Sequence, residues 1–419
     1  MLAHILLAVI VALSILLMLV RPRGIAEAYW IGGGALLLVA LRLIPLKLAG
    51  HAIAKGSDVY LFLIGMMLLS ELARDHGVFD WLSAVAVSRA NGSAVRLFTI
   101  VYAIGTLVTI FMSNDATAVV LTPAILTAVR KAKVQPLPHL FACALIANAA
   151  SFVLPISNPA NLVVFHQGMP PLGVWLLSFG VPSILSIAVT YLVMRLLFRK
   201  DLAAALEGSV EARPLTTDGK LVLTGLALMV AVLLAASAMD MDLGLPTCLA
   251  ALVITAVVSI KAKANPLKLA REISWGTLAL VAGLFILVDA VQSIGALAYT
   301  QAALAWAQHL PPATGAMVTA FVVGIANNLV NNLPLGLIAG ATLQAAQAKG
   351  LLASAVLIGV DLGPNLSVTG SLATILWLIA LRKEKLDVSF WDFLKIGIIA
   401  MPAALVAATA GAIAMSLLF

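Results

Sequence analysis

Two short stretches place amide groups and a carboxylic acid inside long apolar runs. The first, residues 111–123, contains Ser113, Asn114 and Asp115, and the second, residues 326–334, contains two pairs of asparagines. A carboxylate at membrane depth costs about 2.5–3.5 kcal/mol on insertion scales, so such a group is expected to face a cavity and to have a function. Amides at this depth could bind the oxygens of a small solute, and the acid could gain and lose a proton.

Two further polar interruptions break long apolar segments. Pro155–Asn161 interrupts residues 138–165, and Asp361–Ser367 interrupts residues 352–381. Irregular backbone in a membrane lies only where protein buries it or where it lines a cavity, and paired breaks in corresponding segments indicate a transporter's binding site. Helix N-termini at such breaks also offer unpaired N–H donors. The predicted site for a small, oxygen-rich solute consists of Ser113, Asn114, Asn158, Asn161, Asn328, Asn331, Asn332, Asn365 and Ser367.

Asp115 and Asp361 are the carboxyl groups predicted to couple the site to protons. Burial disfavours the charged form of a carboxyl group, and neighbouring amides moderate that effect. A carboxyl group that exchanges its proton with one side of the membrane at a time is what proton coupling requires. The alternative is that each Asp is hydrogen-bonded and braces a helix break, and that the asparagines hold helices together.

The composition places these stretches in a membrane. Of the 419 residues, 63% are hydrophobic and 10% are charged. Apolar windows of about 20 residues recur along the chain, which predicts an all-α polytopic membrane protein. The net charge of +7 is assigned to cytoplasmic loops rather than to nucleic-acid binding, because the basic residues lie between apolar runs.

No pattern in the sequence indicates an enzyme. We find no phosphate-binding loop, zinc-protease motif or catalytic triad pattern, and we expect no cofactor. Cys143 and Cys248 stand alone in different apolar segments, which predicts neither a thiolate site nor a disulfide framework.

The chain has an internal repeat. Residues 65–71 resemble residues 283–289, and Gly77 then matches Gly295. Each half is predicted to have about five spans, one re-entrant hairpin and one broken helix, so about ten transmembrane helices accompany the two hairpins. Because each half crosses the membrane an odd number of times, the second half is predicted to be inverted in the membrane relative to the first. The predicted division is residues 1–198 (hairpin 95–130, broken helix 138–165), a cytoplasmic linker 199–220, and residues 221–419 (hairpin 314–348, broken helix 352–381).

The distribution of basic residues predicts the orientation. Cytoplasmic loops carry an excess of Lys and Arg. With residues 199–220 inside, most of the clustered basic residues fall inside, whereas Arg42, Lys47, Lys55 and Lys349 fall outside. This arrangement predicts a multi-pass protein of a bacterial or archaeal cytoplasmic membrane, with both termini outside and one hairpin entering from each face.

The polar stretches also carry a family resemblance. Residues 111–123, 156–163, 330–336 and, most specifically, 359–365 with 370–377 resemble the ArsB arsenite efflux transporters of the ion transporter superfamily. The resemblance implies export of arsenite and antimonite by proton antiport, with the solute near the residues named above and no thiolate ligands. In some bacteria the family also docks a cytoplasmic ArsA ATPase.

Some positions depart from the family pattern and leave other functions open. Ala116-Thr117 replaces the expected Gly-Ala, and residues 157–161 carry a proline that is also typical of other branches of the superfamily. A sodium/proton antiporter or a small-anion transporter on the same frame therefore remains an alternative, and a passive channel is a further one.

Overall fold

The computed structural model describes residues 2–166, 168–203, 214–263, 265–295 and 297–418. Within these ranges every regular element is a helix, which confirms the all-α prediction. In the first half of the chain, helices α1 to α10 are Leu2–Val20, Glu27–Ala40, Leu46–Lys55, Ser57–Asp75, Val78–Arg89, Ala94–Phe111, Thr122–Lys131, Pro136–Ala149, Pro159–Val164 and Leu172–Leu197. In the second half, helices α11 to α20 are Thr217–Ala238, Gly244–Ala262, Pro266–Glu272, Trp275–Ser293, Leu297–Gln308, Pro312–Val330, Asn332–Ala345, Leu351–Leu362, Leu372–Lys383 and Phe390–Leu418.

The helices have the length and composition of a polytopic membrane protein. Of the helices that the structure describes, 8 are long and apolar enough to cross a membrane: α1, α6, α10, α11, α12, α14, α16 and α20. Helices α3 and α4 meet at a bend of 49° and raise the number to 9 if they form one span. Helix α2 is apolar but shorter, and its 14 residues fall below the length of a straight crossing.

The two halves use their helices in the same order. Each has a hairpin (α6 with α7, α16 with α17), then a broken helix (α8 with α9, α18 with α19), then one long helix (α10, α20). The halves also pack reciprocally, since α4 lies against α12, α14 lies against α2, and α10 lies against α20. Helices of each half therefore pack against helices of the other half.

The predicted linker, residues 199–220, falls partly outside the described residues, which omit 204–213. On its far side α11 begins at Thr217 rather than at residue 221. The reason is local, because the Thr216 hydroxyl accepts a hydrogen bond from the Gly219 N–H at 3.1 Å and so caps the helix.

Candidate functional site

Four helix N-termini meet around one small cavity. The helix that leads into α7 begins at Asn114, and α9, α17 and α19 begin at Pro159, Asn332 and Leu372. The cavity has a volume of about 10 Å³, which is room for about one water molecule. Each N-terminus brings the positive end of its dipole, and the first N–H groups of α19, on Leu372 and Ala373, have no partner in the described chain. The lining residues are Leu63, Asn114, Asp115, Asn158, Pro159, Thr277, Asn332, Leu333, Leu372 and Ala373.

The tip of the first hairpin supplies Asp115, the one acid among the described residues that line the cavity. The Ser113 hydroxyl accepts the Ala116 N–H at 3.3 Å and starts the second arm. The chain then passes through a π-helical segment, Ala116–Leu121, before it becomes α7, and such segments often accompany functional sites. Asn114 is buried and its Oδ1 has no partner among the described residues, where Asp115 also forms no hydrogen bond or ion pair. Both side chains are therefore available to a solute.

Asp361 does not line the cavity but contacts Asn158, which does. Its Oδ1 accepts a hydrogen bond of 2.8 Å from Nδ2 of Asn158, a cavity residue, while its Oδ2 is buried with no partner in the described part of the chain. Asp361 is fully buried in α18. Meanwhile the side-chain oxygen of Asn158 accepts the Ala160 N–H at 2.9 Å and caps α9. Asn158 thus connects the acid, the cavity and a helix N-terminus.

The opposite broken helix contains the counterpart of this contact. Ser371 caps α19, as Asn158 caps α9, and the Ser371 hydroxyl lies 3.5 Å from Oδ1 of Asn148 in α8. In the broken helices, the residue numbers of the second half exceed those of their counterparts by 213 (371 − 158 and 361 − 148). Asn148 is therefore the counterpart of Asp361, an amide where the second half has an acid.

Asn148 was missing from the predicted site. Its Nδ2 donates to Oδ1 of Asn365 at 2.9 Å, and Asn365 donates in turn to the Leu145 carbonyl at 3.0 Å. This network ties α8 to the break after α18. In the sequence, Asn158-Pro159-Ala160-Asn161 resembles Gly363-Pro364-Asn365, which suggests pairing these two stretches, whereas the structure matches Asn158 with Ser371. Aligning the two caps would have identified Asn148.

The tip of the second hairpin is held against the second break. Asn331 caps α17 by accepting the Leu333 N–H at 3.4 Å, and its Nδ2 donates to the Thr369 carbonyl at 3.2 Å. The backbone N–H of Asn332 donates to the Gly370 carbonyl at 2.9 Å. The side chain of Asn332 lines the cavity, and its buried Oδ1 has no partner among the residues described here.

The other predicted site residues brace the backbone. The Ser367 hydroxyl donates to Oδ1 of Asn328 at 2.7 Å, and Asn328 donates to the Gly363 carbonyl at 3.0 Å. Asn161 donates to the Ser151 carbonyl at 2.8 Å and stabilises the loop between α8 and α9. The structure thus brings Asn114, Asp115, Asn158 and Asn332 to the cavity, whereas Ser113, Asn161, Asn328, Asn331, Asn365 and Ser367 shape the segments around it. That any of them binds a solute stays a prediction.

The comparisons with known proteins concern nearly the whole chain. The profile of a family described as "Citrate transporter" matches residues 6–360. The arsenical pump membrane protein of Yersinia enterocolitica is 27% identical over 414 residues, which are 93% of this chain and 94% of that protein. The protein of the same name from Escherichia coli K12 is 27% identical over 434 residues, 98% of both chains. The motif-based resemblance to ArsB transporters is therefore confirmed.

A solved structure has the same fold. The YdaH transporter of Alcanivorax borkumensis, described as having an unusual topology, superposes with a TM-score of 0.60. The match covers 91% of this chain and 89% of that chain at 15% identity. At this identity the likeness shows a shared fold and carries nothing about the solute.

Proposed function

This chain belongs to the citrate transporter family, and from that membership and its likeness to arsenical pumps we propose that it exports arsenite and antimonite in exchange for protons. The protein is an integral membrane transporter of the ArsB type rather than an enzyme. The observation that carries the proposal is the cavity where four helix N-termini meet beside Asp115.

The chemistry of the cavity suits arsenite. At neutral pH arsenite is mainly the uncharged trihydroxide, whose O–H groups can donate as well as accept. The side-chain oxygens of Asn114 and Asn332, which have no partner in the described chain, would accept from those hydroxyls. The N–H groups of Leu372 and Ala373 at the start of α19 would donate to the arsenite oxygens. A solute that must leave again is better held by such bonds than by several thiolates.

The size of the cavity requires movement. A space of about 10 Å³ accommodates a water molecule and not a trihydroxide. Binding would therefore separate the tip of a hairpin from the N-terminus of a broken helix, as alternating access requires. In inverted repeats such motion is largely a rigid-body rocking of one part around the fixed site.

Asp115 and Asp361 would carry the exchanged protons. Neither forms an ion pair with the described residues, so a proton is the group that would balance a carboxylate charge at this depth. Asn158 would connect the two events, because it donates to Asp361 and also lines the cavity. Loss of the Asp361 proton would strengthen that hydrogen bond, since bonds to ionised acceptors are stronger.

The proposal also includes the membrane, the orientation of the chain and a cytoplasmic partner. We propose a cytoplasmic membrane, two inverted halves divided at residues 199–220, both termini outside, and the linker inside. In a cell that also makes an ArsA-type ATPase, the cytoplasmic face would be its docking surface. Attaching a reporter whose activity depends on the compartment to either terminus would test this orientation.

Uptake of arsenite by everted vesicles with an imposed acid-inside pH gradient tests the function. The expected result is uptake that collapses when a protonophore is added, in sodium-free buffer. Vesicles that contain inserted protein with Asp115→Asn are the matched control and should give background uptake. Wild-type vesicles that accumulate no arsenite would contradict the proposal.

A small-anion carrier is the second candidate. Helix N-termini favour anions, and four of them converge here. The Asp115 carboxyl group disfavours an anion carrier, because an ionised Asp in the cavity lining repels an anion. Uptake of citrate by the same vesicles, without competition from arsenite, would favour this candidate, and sodium dependence would indicate a sodium-coupled carrier.

A further inference from the structure

A large cleft lies where α9 and α17 end, away from the central cavity. Its volume is about 950 Å³, against about 10 Å³ for the cavity. We call it the α9–α17 cleft. Most of its wall is apolar, with Val164, Phe165, Met169, Val174 and Leu343 as examples. Nothing in the proposed transport of arsenite requires an apolar space of this size.

The corresponding place in the other half is filled by aromatic side chains. Phe141 of α8 and Trp377 of α19 have ring centroids 5.4 Å apart, and Phe393 of α20 packs against both at 5.6 and 5.8 Å. The Trp377 indole N–H donates to the Leu140 carbonyl at 3.1 Å. Trp377 and Phe393 are fully buried. This end of the broken-helix pair is closed by its own side chains.

The alignment of the two broken helices shows which large side chains are absent from the cleft. With the displacement of 213 positions set by the two cap contacts, Trp377 corresponds to Val164 and Phe141 corresponds to Ser354. Both of these smaller residues line the cleft. The cleft therefore lies where the other half has two packed rings. An occupant of this space would lie against the apolar side chain of Val164 and the hydroxyl of Ser354.

The rim offers a site for an anionic group. Helix α18 begins after Gly350, which provides no side-chain cap, so its first N–H groups remain unpaired by a side chain. The adjacent Lys349 is exposed and forms no ion pair within the described chain. Ser354, one turn into α18, is only 7% exposed, lines the cleft, and its hydroxyl has no partner among the described residues. Together these groups would bind a phosphate.

We propose that the α9–α17 cleft binds a membrane phospholipid. An acyl chain lies against Val164, in the space that Trp377 fills in the other half, and the phosphate lies at Lys349, the Ser354 hydroxyl and the N-terminus of α18. The occupant is amphiphilic because the wall is apolar and the rim is basic. The proposal does not depend on which solute the protein transports. The bound lipid would hold the end of α17 against α10 and α18.

Native mass spectrometry of the protein extracted from its membrane in mild detergent tests the proposal. We expect the wild type to retain one phospholipid. Val164→Trp and Ser354→Phe place the rings of the other half in the cleft, and each should weaken lipid retention roughly tenfold or more. Lys349→Glu should do so without changing the cleft volume. Val253→Trp is the matched control, because Val253 is 61% exposed on α12 and does not line the cleft.

Three results would overturn the proposal. One is a wild-type protein that leaves the membrane without phospholipid. Another is lipid retention that is equal in wild type, Val164→Trp and Lys349→Glu, all shown to be monodisperse. The third is retention of free phosphate in place of a lipid, together with modification of Ser354→Cys by a membrane-impermeant thiol reagent in intact cells.

Discussion

Nδ2 of Asn158 donates a hydrogen bond of 2.8 Å to Oδ1 of Asp361 and joins the two broken helices across the halves of the molecule. The counterpart contact, from Ser371 to Asn148, has a hydroxyl and an amide and spans 3.5 Å. The two contacts therefore have corresponding places in the two halves, but only one of them, that of Asp361, contains an acid.

The first prediction concerns Asp361. Asp361→Asn keeps the size of the side chain and removes the proton-exchanging group, so the protein should insert while proton-driven arsenite uptake falls to background. Uptake by everted vesicles, normalised to the inserted protein, measures this. Asp240→Asn, at an exposed position after α11, should transport like the wild type. Undiminished proton-driven uptake by Asp361→Asn would remove Asp361 from the mechanism.

The second prediction separates capping from coupling at Asn158. Both Asn158→Ala and Ser371→Ala remove a helix cap, which costs about 1 kcal/mol of stability. Asn158→Ala also removes a partner of a buried carboxyl group, an additional cost of about 1–3 kcal/mol. Thermal unfolding in detergent should therefore rank Asn158→Ala below Ser371→Ala. In addition, only Asn158→Ala should change how transport depends on pH. Identical pH profiles for the two variants would contradict the coupling role of Asn158.

The third prediction concerns Asn148, which the sequence did not single out. Asn148→Leu leaves the buried Oδ1 of Asn365 without its donor, and an unsatisfied buried group costs about 1–3 kcal/mol. We expect a lower unfolding temperature and weakened transport. Gln308→Leu, at the exposed end of α15, controls for the general effect of an added Leu. A stable, fully active Asn148→Leu would show that the link between α8 and the second break is dispensable.

The fourth prediction concerns the close approach of α17 to α9. A Cβ added at Gly340 would lie 2.4 Å from the Val164 carbonyl oxygen, which is backbone and cannot swing aside. Gly340→Ala should push the two helices apart, at a cost typical of overpacking, about 1–3 kcal/mol. Gly180→Ala is the control, since a Cβ there meets nothing within 4 Å. Equal unfolding temperatures for the two variants would mean that α9 and α17 separate without cost.

Much of the site was predictable because its chemistry conflicts with its surroundings. Asp115 and Asp361 stand out in apolar segments, and a polar group at such depth has few explanations other than a cavity or a partner. The prolines at 155, 159 and 364 mark breaks because proline cannot continue a helix's hydrogen bonds. Asn148 gave no such signal, since one amide within α8 resembles ordinary helix–helix hydrogen bonding.

The sequence by itself determined the helical class, the positions of the breaks and the set of polar residues near them, because hydrophobic periodicity, proline and buried charge act locally. Tertiary structure decided which residues share the cavity, which brace the backbone, and which acid accepts a hydrogen bond from Asn158. Those distinctions depend on contacts between segments more than 200 positions apart, such as the pair of residues 158 and 361, separated by 203. Such pairings follow from how the two halves pack, and no local pattern records them.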